Sequence, residues 1–219
     1  ENEKAGQFPD TKWKINNLGK GWVLGETLIT GIGQGYTQTT PIQLCLMTAQ
    51  IANGGYKIRP KILTDDNQLT SEQVKKTMQN SKLNNNYEPL YDDQRNINIV
   101  QETMFSSTNE LRGTSYKSRI DDPKYQFAGK TGTAQVKRIS KRERELDLKT
   151  SQIPYEERDH ALYVAYGPYR NPRYAVSIIV EHGGSGSTAA APMATELFKL
   201  IVDRHQYRKK LPDYKEFSI

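Results

Sequence analysis

One cysteine, three histidines and no apolar run near the roughly 18 residues that a membrane span requires set the first limits on this 219-residue chain. A lone thiol, Cys45, rules out an intrachain disulfide and a thiolate metal cluster; within "PIQLCLMTAQIA" it reads as a small buried hydrophobe. His160, His182 and His205 stand too far apart for a local ligand pattern, so neither a metal nor a cofactor is expected. No signal-peptide pattern opens the chain at "ENEKAGQFPD", which suits a cytosolic protein or the excised tail of an exported one. Apolar residues are scarce too, at 35% with a mean hydropathy of −0.78, as in a polar domain or a piece of a larger one.

Charge, by contrast, is plentiful. Lysine and arginine number 31 against 25 acids, a net +6 that is compatible with an anionic polymer or a membrane surface. The basic residues are mixed with acids, however, as in "KRISKRERELDLK" (137–149), and no nucleic-acid-reading motif accompanies them. That segment reads as a solvated loop, and nucleic acid is not an expected partner.

Along the chain, residues 1–22 are polar and rich in Gly, Pro and Asn and read as irregular, and "GETLITGIGQGYTQTT" reads as a glycine- and threonine-rich loop. Thr40-Pro41-Ile42-Gln43 then combines a capping threonine, a proline at the first helical position and a glutamine three residues after the cap. With Asn53-Gly54-Gly55 as the stop, this predicts a helix whose stripe of Ile42, Leu46, Ala49 and Ala52 is buried. "YKIRPKIL" (56–63) reads as an edge strand broken by Pro60, and 64–86 as a polar surface excursion. A second helix is expected over 94–106, with Asp92 and Asp93 at its positive end and Ile97, Val100 and Met104 as its stripe. "YQFAGKTGTAQV" reads as a strand, "ALYVAYG" and "YAVSIIVE" as a hairpin around "PYRNPR", and 190–206 as a last helix with Met193, Leu197, Leu200 and Ile201 on one face. Helices, then three strands, then a terminal helix predict an α+β fold in which an antiparallel sheet is covered by helices.

The chemistry concentrates in "FAGKTGTAQV" (127–136). A phosphate loop would need a glycine five residues before Gly129, where Lys124 stands, and a helix afterwards, where "TAQV" continues a strand. On an edge strand, Gly132 instead leaves room for an extended peptide to pair with the main chain. Period-two geometry puts the Thr131 and Thr133 hydroxyls on one side, with the Lys130 charge nearby, which suits a peptide ending in a carboxylate. A threonine-rich edge strand with an unrelated lysine fits the same composition.

Lys130-Thr131-Gly132 followed by Thr133 resembles the K-T-G signature of the penicillin-binding protein and serine β-lactamase superfamily, whose other signatures are S-x-x-K and S-x-N. "GETLITGIGQGYTQTTPIQL", "KTGTAQV", "RDHALYVAYGPYRNPRYAVSIIVEHGG" and the closing helix resemble, in order and spacing, the C-terminal half of the transpeptidase domain of class B penicillin-binding proteins. Gly33-Gln34-Gly35-Tyr36 and "TAQV" look like the elongation type, penicillin-binding protein 2. The resemblance covers essentially the whole chain. It implies a partial serine β-lactamase/penicillin-binding transpeptidase fold, with 1–219 as the C-terminal portion of a single transpeptidase domain: an irregular lead-in (1–22), a charged insertion (137–159) and a tail (207–219).

No serine in the chain has lysine three places on: Ser71 is followed by Val74, Ser115 by Ser118, Ser140 by Glu143 and Ser185 by Thr188. "TKWK" (11–14) has the spacing but carries threonine, Ser107-Thr108-Asn109 reads as a helix terminus, and Ser185 fails the G-x-S-x-G elbow because Ser187 takes its last position. The resemblance therefore implies that the nucleophile, its base and the S-x-N serine lie upstream, in a parent peptidoglycan D,D-transpeptidase that forms a serine acyl-enzyme on the D-Ala-D-Ala end of a stem peptide and is the target of β-lactams. It implies catalytic roles for Lys130, polarising the S-x-N serine, and for the Thr133 N–H as an oxyanion donor, with Thr131, Gly132 and Thr133 binding substrate. It further implies a membrane glycosyltransferase of the elongation machinery as partner, and the periplasmic face of the bacterial inner membrane as the location. A penicillin-sensing or non-catalytic binding module of the same fold is the alternative.

Overall fold

The computed structural model describes residues 4–60, 88–136 and 150–209. The first element, α1 (Thr11–Leu18), starts where the Asp10 side chain accepts the Trp13 N–H at 2.6 Å and stops at Gly19, whose φ of 63° is in the left-handed region. α2 (Leu24–Gly31) follows after five residues. These two helices correct the irregular lead-in expected over 1–22 and the loop expected from Gly25 onward. What holds them is not local: Lys14, buried on α1, donates to the Glu26 carboxylate on α2 and to the Gly21 carbonyl, each at 2.7 Å, while Glu26 also accepts the Val23 N–H at 2.9 Å. The lysine of "TKWK" is thus a structural cation. Only 32–39 remains as loop, with positive φ at Gly33 and Gly35.

α3 (Pro41–Ala52) has the capping box read from the sequence: the Gln43 N–H donates to Thr40 Oγ1 and the Thr40 N–H to Gln43 Oε1, behind Pro41 at the first position. It stops as expected at Asn53, and Gly55 (φ 87°) is required twice over, because a Cβ there would also meet Ile97 Cγ1 at 2.8 Å. Its buried face differs from expectation, since Ile42 is exposed and Thr48 is the fully buried residue. The expected strand at 56–63 is one bridge, Tyr56 to Pro89; 61–63 and the polar run 64–86 lie outside the described residues. α4 (Gln94–Asn109), capped by Asp93, runs three residues further than expected.

The sheet is antiparallel in the order β1 (Ala128–Ala134), β2 (His160–Gly167), β3 (Tyr174–Val180), so β1 is an edge and β2 and β3 form the expected hairpin. Alternation along β2 divides the molecule into layers. Ala161, Tyr163 and Ala165 face α5 (Ala191–Lys209), whereas Val164 and Tyr166 meet α3 and α4 through Ile51, Ala52, Met104 and Phe105. On α5 the buried stripe is Ala191, Ala194, Phe198 and Val202, correcting the stripe expected from Met193, Leu197 and Leu200, all of which are exposed. Alanines allow this helix close to the sheet, where Phe198 stacks on Phe127 with centroids 4.8 Å apart. α5 also runs to Lys209, into the segment expected as tail, and 210–219 lie outside the described residues. Of the insertion expected over 137–159, residues 137–149 are likewise outside, and 150–159 carry two short 3₁₀ turns.

The Lys14 hydrogen bond and then the Val23 N–H hold the Glu26 carboxyl below its ordinary value of 4.5. A depressed folded-state value contributes stability that is present above about pH 4.5 and lost as pH falls below it. Both tryptophans lie in this segment, so an acid titration followed by tryptophan fluorescence is expected to show a transition that Glu26→Gln abolishes. Separately, Phe198→Ala is expected to cost about 3–5 kcal/mol in denaturant unfolding, the range for removing a buried phenylalanine.

Candidate functional site

β1 enters the sheet through Phe127 and Ala128, both fully buried, and emerges at Lys130, which is exposed. In the observed register Lys130 lies opposite Val164 and Gly132 opposite Leu162 on one face; Thr131 lies opposite Tyr163 and Thr133 opposite Ala161 on the other. The two threonines therefore share a face, as their spacing predicts, and the edge of β1 that pairs with no strand among the described residues runs beside them. Lys130 Nζ donates to the Thr131 carbonyl at 2.8 Å and lies 3.4 Å from Thr131 Oγ1. Among the described residues it forms no ion pair, whereas Lys14, Lys57 and Lys124 are each matched to a carboxylate.

Beneath β1 is a buried cluster of hydroxyls. Thr108 Oγ1, near the end of α4, lies 2.9 Å from Tyr163 Oη, 3.2 Å from Ser115 Oγ and 3.3 Å from the Gly129 carbonyl. Tyr163 Oη also donates to Ser115 at 3.1 Å; burial pushes its pKa up, partly offset by these hydrogen bonds. Asn109 ties the same helix end to β1 by donating to the Phe127 carbonyl at 2.9 Å. Thr108 and Asn109 of the S-x-N sequence are thus structural anchors. Gly129 is a glycine because a Cβ would collide with the Tyr163 hydroxyl and lie 2.6 Å from the ring carbon that bears it.

In front of β1 is a cavity of about 490 Å³ whose walls are Lys130 to Gln135, the loop from Ile32 to Gly35 with Thr37 to Thr39, and Leu162, Val164 and Ile179 of the sheet. The glycine-rich loop of the sequence thus forms the wall opposite the K-T-G residues. His160 closes one end; its Nδ1 accepts the His182 N–H at 2.9 Å, and His182 itself has a left-handed φ of 54°. The place of His160 in this wall is not visible from sequence spacing. Cys45 is half-buried under β3, 3.4 Å from the Ala175 carbonyl, and burial pushes its thiol pKa up. Ser185 pairs with Ser187 at 2.9 Å in the lead-in to the last helix. Among the described residues no three His, Cys, Asp or Glu side chains gather as metal ligands, and no helix is long and apolar enough to cross a membrane.

The family model for the penicillin-binding protein transpeptidase domain matches residues 1–200. The chain belongs to the penicillin-binding protein transpeptidase family. Among curated relatives, the peptidoglycan D,D-transpeptidase MrdA of Haemophilus influenzae is 30% identical over 225 residues, covering 100% of this chain and 31% of that protein. MrdA of Escherichia coli K12 is 32% identical, covering 92% of this chain and 29% of its own length. Among solved structures, PBP2 of Pseudomonas aeruginosa in complex with WCK 5153 is 35% identical with a TM-score of 0.66, covering 93% of this chain and 40% of that one. PBP2 of Helicobacter pylori in complex with MreC is 28% identical with a TM-score of 0.68, over 95% of this chain and 32% of that one. The resemblance to penicillin-binding protein 2 and the partial transpeptidase fold both hold, and the chain spans about a third of the length of the curated relatives it matches.

For this transpeptidase-family chain, Gly129→Ala is expected to lower stability by about 1–3 kcal/mol, the range for overpacking, because the obstacle is a buried, hydrogen-bonded tyrosine. Chemical denaturation measures it.

Proposed function

We propose that this chain is the substrate-binding part of a peptidoglycan D,D-transpeptidase that cross-links stem peptides through a serine acyl-enzyme and is acylated by β-lactams. The observation that carries the reading is the K-T-G-T run on an exposed edge strand, facing a cavity, in a chain of this family with no S-x-x-K of its own. The nucleophile and its lysine base are supplied by residues outside this sequence, in the same domain of the parent protein. The chain spanning about a third of its relatives supports that division.

In this reading the stem peptide lies along the open edge of β1, main chain to main chain, with Gly132 allowing close approach. Its terminal carboxylate meets the Thr131 and Thr133 hydroxyls in the field of Lys130, whose charge no side-chain carboxylate among the described residues neutralises. Lys130 also polarises the S-x-N serine, and the Thr133 N–H is one of two donors to the oxyanion, the other being the N–H of the nucleophile. β-Lactams enter by mimicking the D-Ala-D-Ala unit. The setting is the periplasmic face of the bacterial inner membrane, with a membrane glycosyltransferase of the elongation machinery as partner.

Intact-mass analysis after incubation with a β-lactam tests this reading. The 25.0 kDa chain alone is expected to carry no adduct, and the full-length protein to carry one. In the full-length protein, Lys130→Ala is expected to slow acylation by about 10²–10³-fold, the range for removing one transition-state stabiliser. An adduct on the isolated chain, or full-rate acylation of Lys130→Ala, overturns it.

A further inference from the structure

Thr114 has no part in the K-T-G signature, yet its hydroxyl lies 3.3 Å from that of Thr131. Its position is set by its neighbours. The chain turns back on the end of α4 at Gly113, whose N–H donates to the Glu110 carbonyl at 2.8 Å and where a Cβ would come within 2.6 Å of the Ser106 carbonyl. One residue after Thr114, buried Ser115 is bonded through its N–H and its Oγ to the Ser107 carbonyl, each at 3.0 Å. Thr114 is pinned between a turn that only glycine fits and a buried anchor, and the Ser107 hydroxyl lies 3.2 Å from its own.

A hydroxyl has one proton to give and two lone pairs to fill. Thr131 Oγ1 has two potential donors: Lys130 Nζ at 3.4 Å, which can only donate, and Thr114 Oγ1. When Thr114 donates, both lone pairs of Thr131 are occupied, and its single proton is left to point away from them. With its proton given to Thr131, Thr114 can only accept from Ser107, which then polarises the row in the same direction.

We propose that Thr114 is a positioning residue that orients the Thr131 hydroxyl as a donor and so favours substrates ending in a free carboxylate over those ending in an ester or amide. The inference rests on the transpeptidase reading above. A carboxylate only accepts, so it rewards an oriented donor; an ester carbonyl is a weaker acceptor and gains less.

The test is the second-order acylation rate of the full-length enzyme with benzylpenicillin and with its methyl ester. Thr114→Val, close in shape but without the hydroxyl, is expected to lower the acid-to-ester rate ratio about 3- to 10-fold, the worth of one neutral hydrogen bond. Thr114→Ser, which keeps the hydroxyl, is expected to restore most of the ratio. Equal losses on both probes would mean that Thr114 only supports the fold, and unchanged rates on both would mean that Thr131 is oriented without it; either overturns the proposal. Lys130→Ala measured in parallel separates the two levels. If it acylates at full rate, the transpeptidase reading fails; if it is slow while Thr114→Val keeps its ratio, only the role of Thr114 fails.

Discussion

The register of β1 on β2 is the constraint on which the site depends. Pairing Thr131 with Tyr163 and Lys130 with Val164 assigns the threonine hydroxyls to one face and the lysine to the other. Because side chains alternate with period two, a slip of one residue would exchange those faces and drive Lys130 toward the buried layer occupied by Tyr163 and Phe198. The slip is opposed from several directions at once. Phe127 fills its place against Tyr163 and Phe198, Gly129 is the one residue that fits over the Tyr163 hydroxyl, and Asn109 holds the Phe127 carbonyl.

That arrangement explains why a polar cluster lies inside so small a core. Thr108, Ser115 and Tyr163 are buried, and hydroxyls removed from water are costly unless they bond to one another or to the main chain. Here they do both. The cluster joins the end of α4, the turn that follows it and the central strand, so three segments distant in sequence meet beneath the exposed part of β1. A purely apolar contact would bury comparable area without selecting one relative placement of the three.

Much of this was legible in the sequence where the signal is local. Thr40, Pro41 and Gln43 announce α3 because a capping box is formed within four residues, and alternation announces the hairpin of β2 and β3. The K-T-G-T run and its edge position were legible for the same reason. What escaped depends on partners far along the chain. α1 and α2 are joined by Lys14 and Glu26, whose pairing no spacing reveals; the buried stripe of α5 is made of alanines because the sheet lies close, whereas the larger Met193, Leu197 and Leu200 suggest a different face. Thr114 reaches Thr131 only because Gly113 turns the chain back between α4 and β1, and in sequence it is one threonine among many.

Lys130 differs from the lysines that join segments of the fold. Lys14 is buried against Glu26, Lys124 is joined to Asp203 and Tyr125 with its pKa raised by those two bonds, and Lys57 meets Glu88. Each cation is matched to an anion, so its field is largely cancelled at a distance. Lys130 is held by the Thr131 carbonyl and hydroxyl, neutral groups that fix its direction without cancelling its charge. A cation kept in place without a carboxylate partner, in the wall of a cavity and beside the Thr131 hydroxyl, extends a positive potential into that cavity. The Thr131 hydroxyl that orients the lysine is itself a hydrogen-bonding group on the cavity wall, so a positive potential and a local hydrogen-bonding group converge on one edge strand.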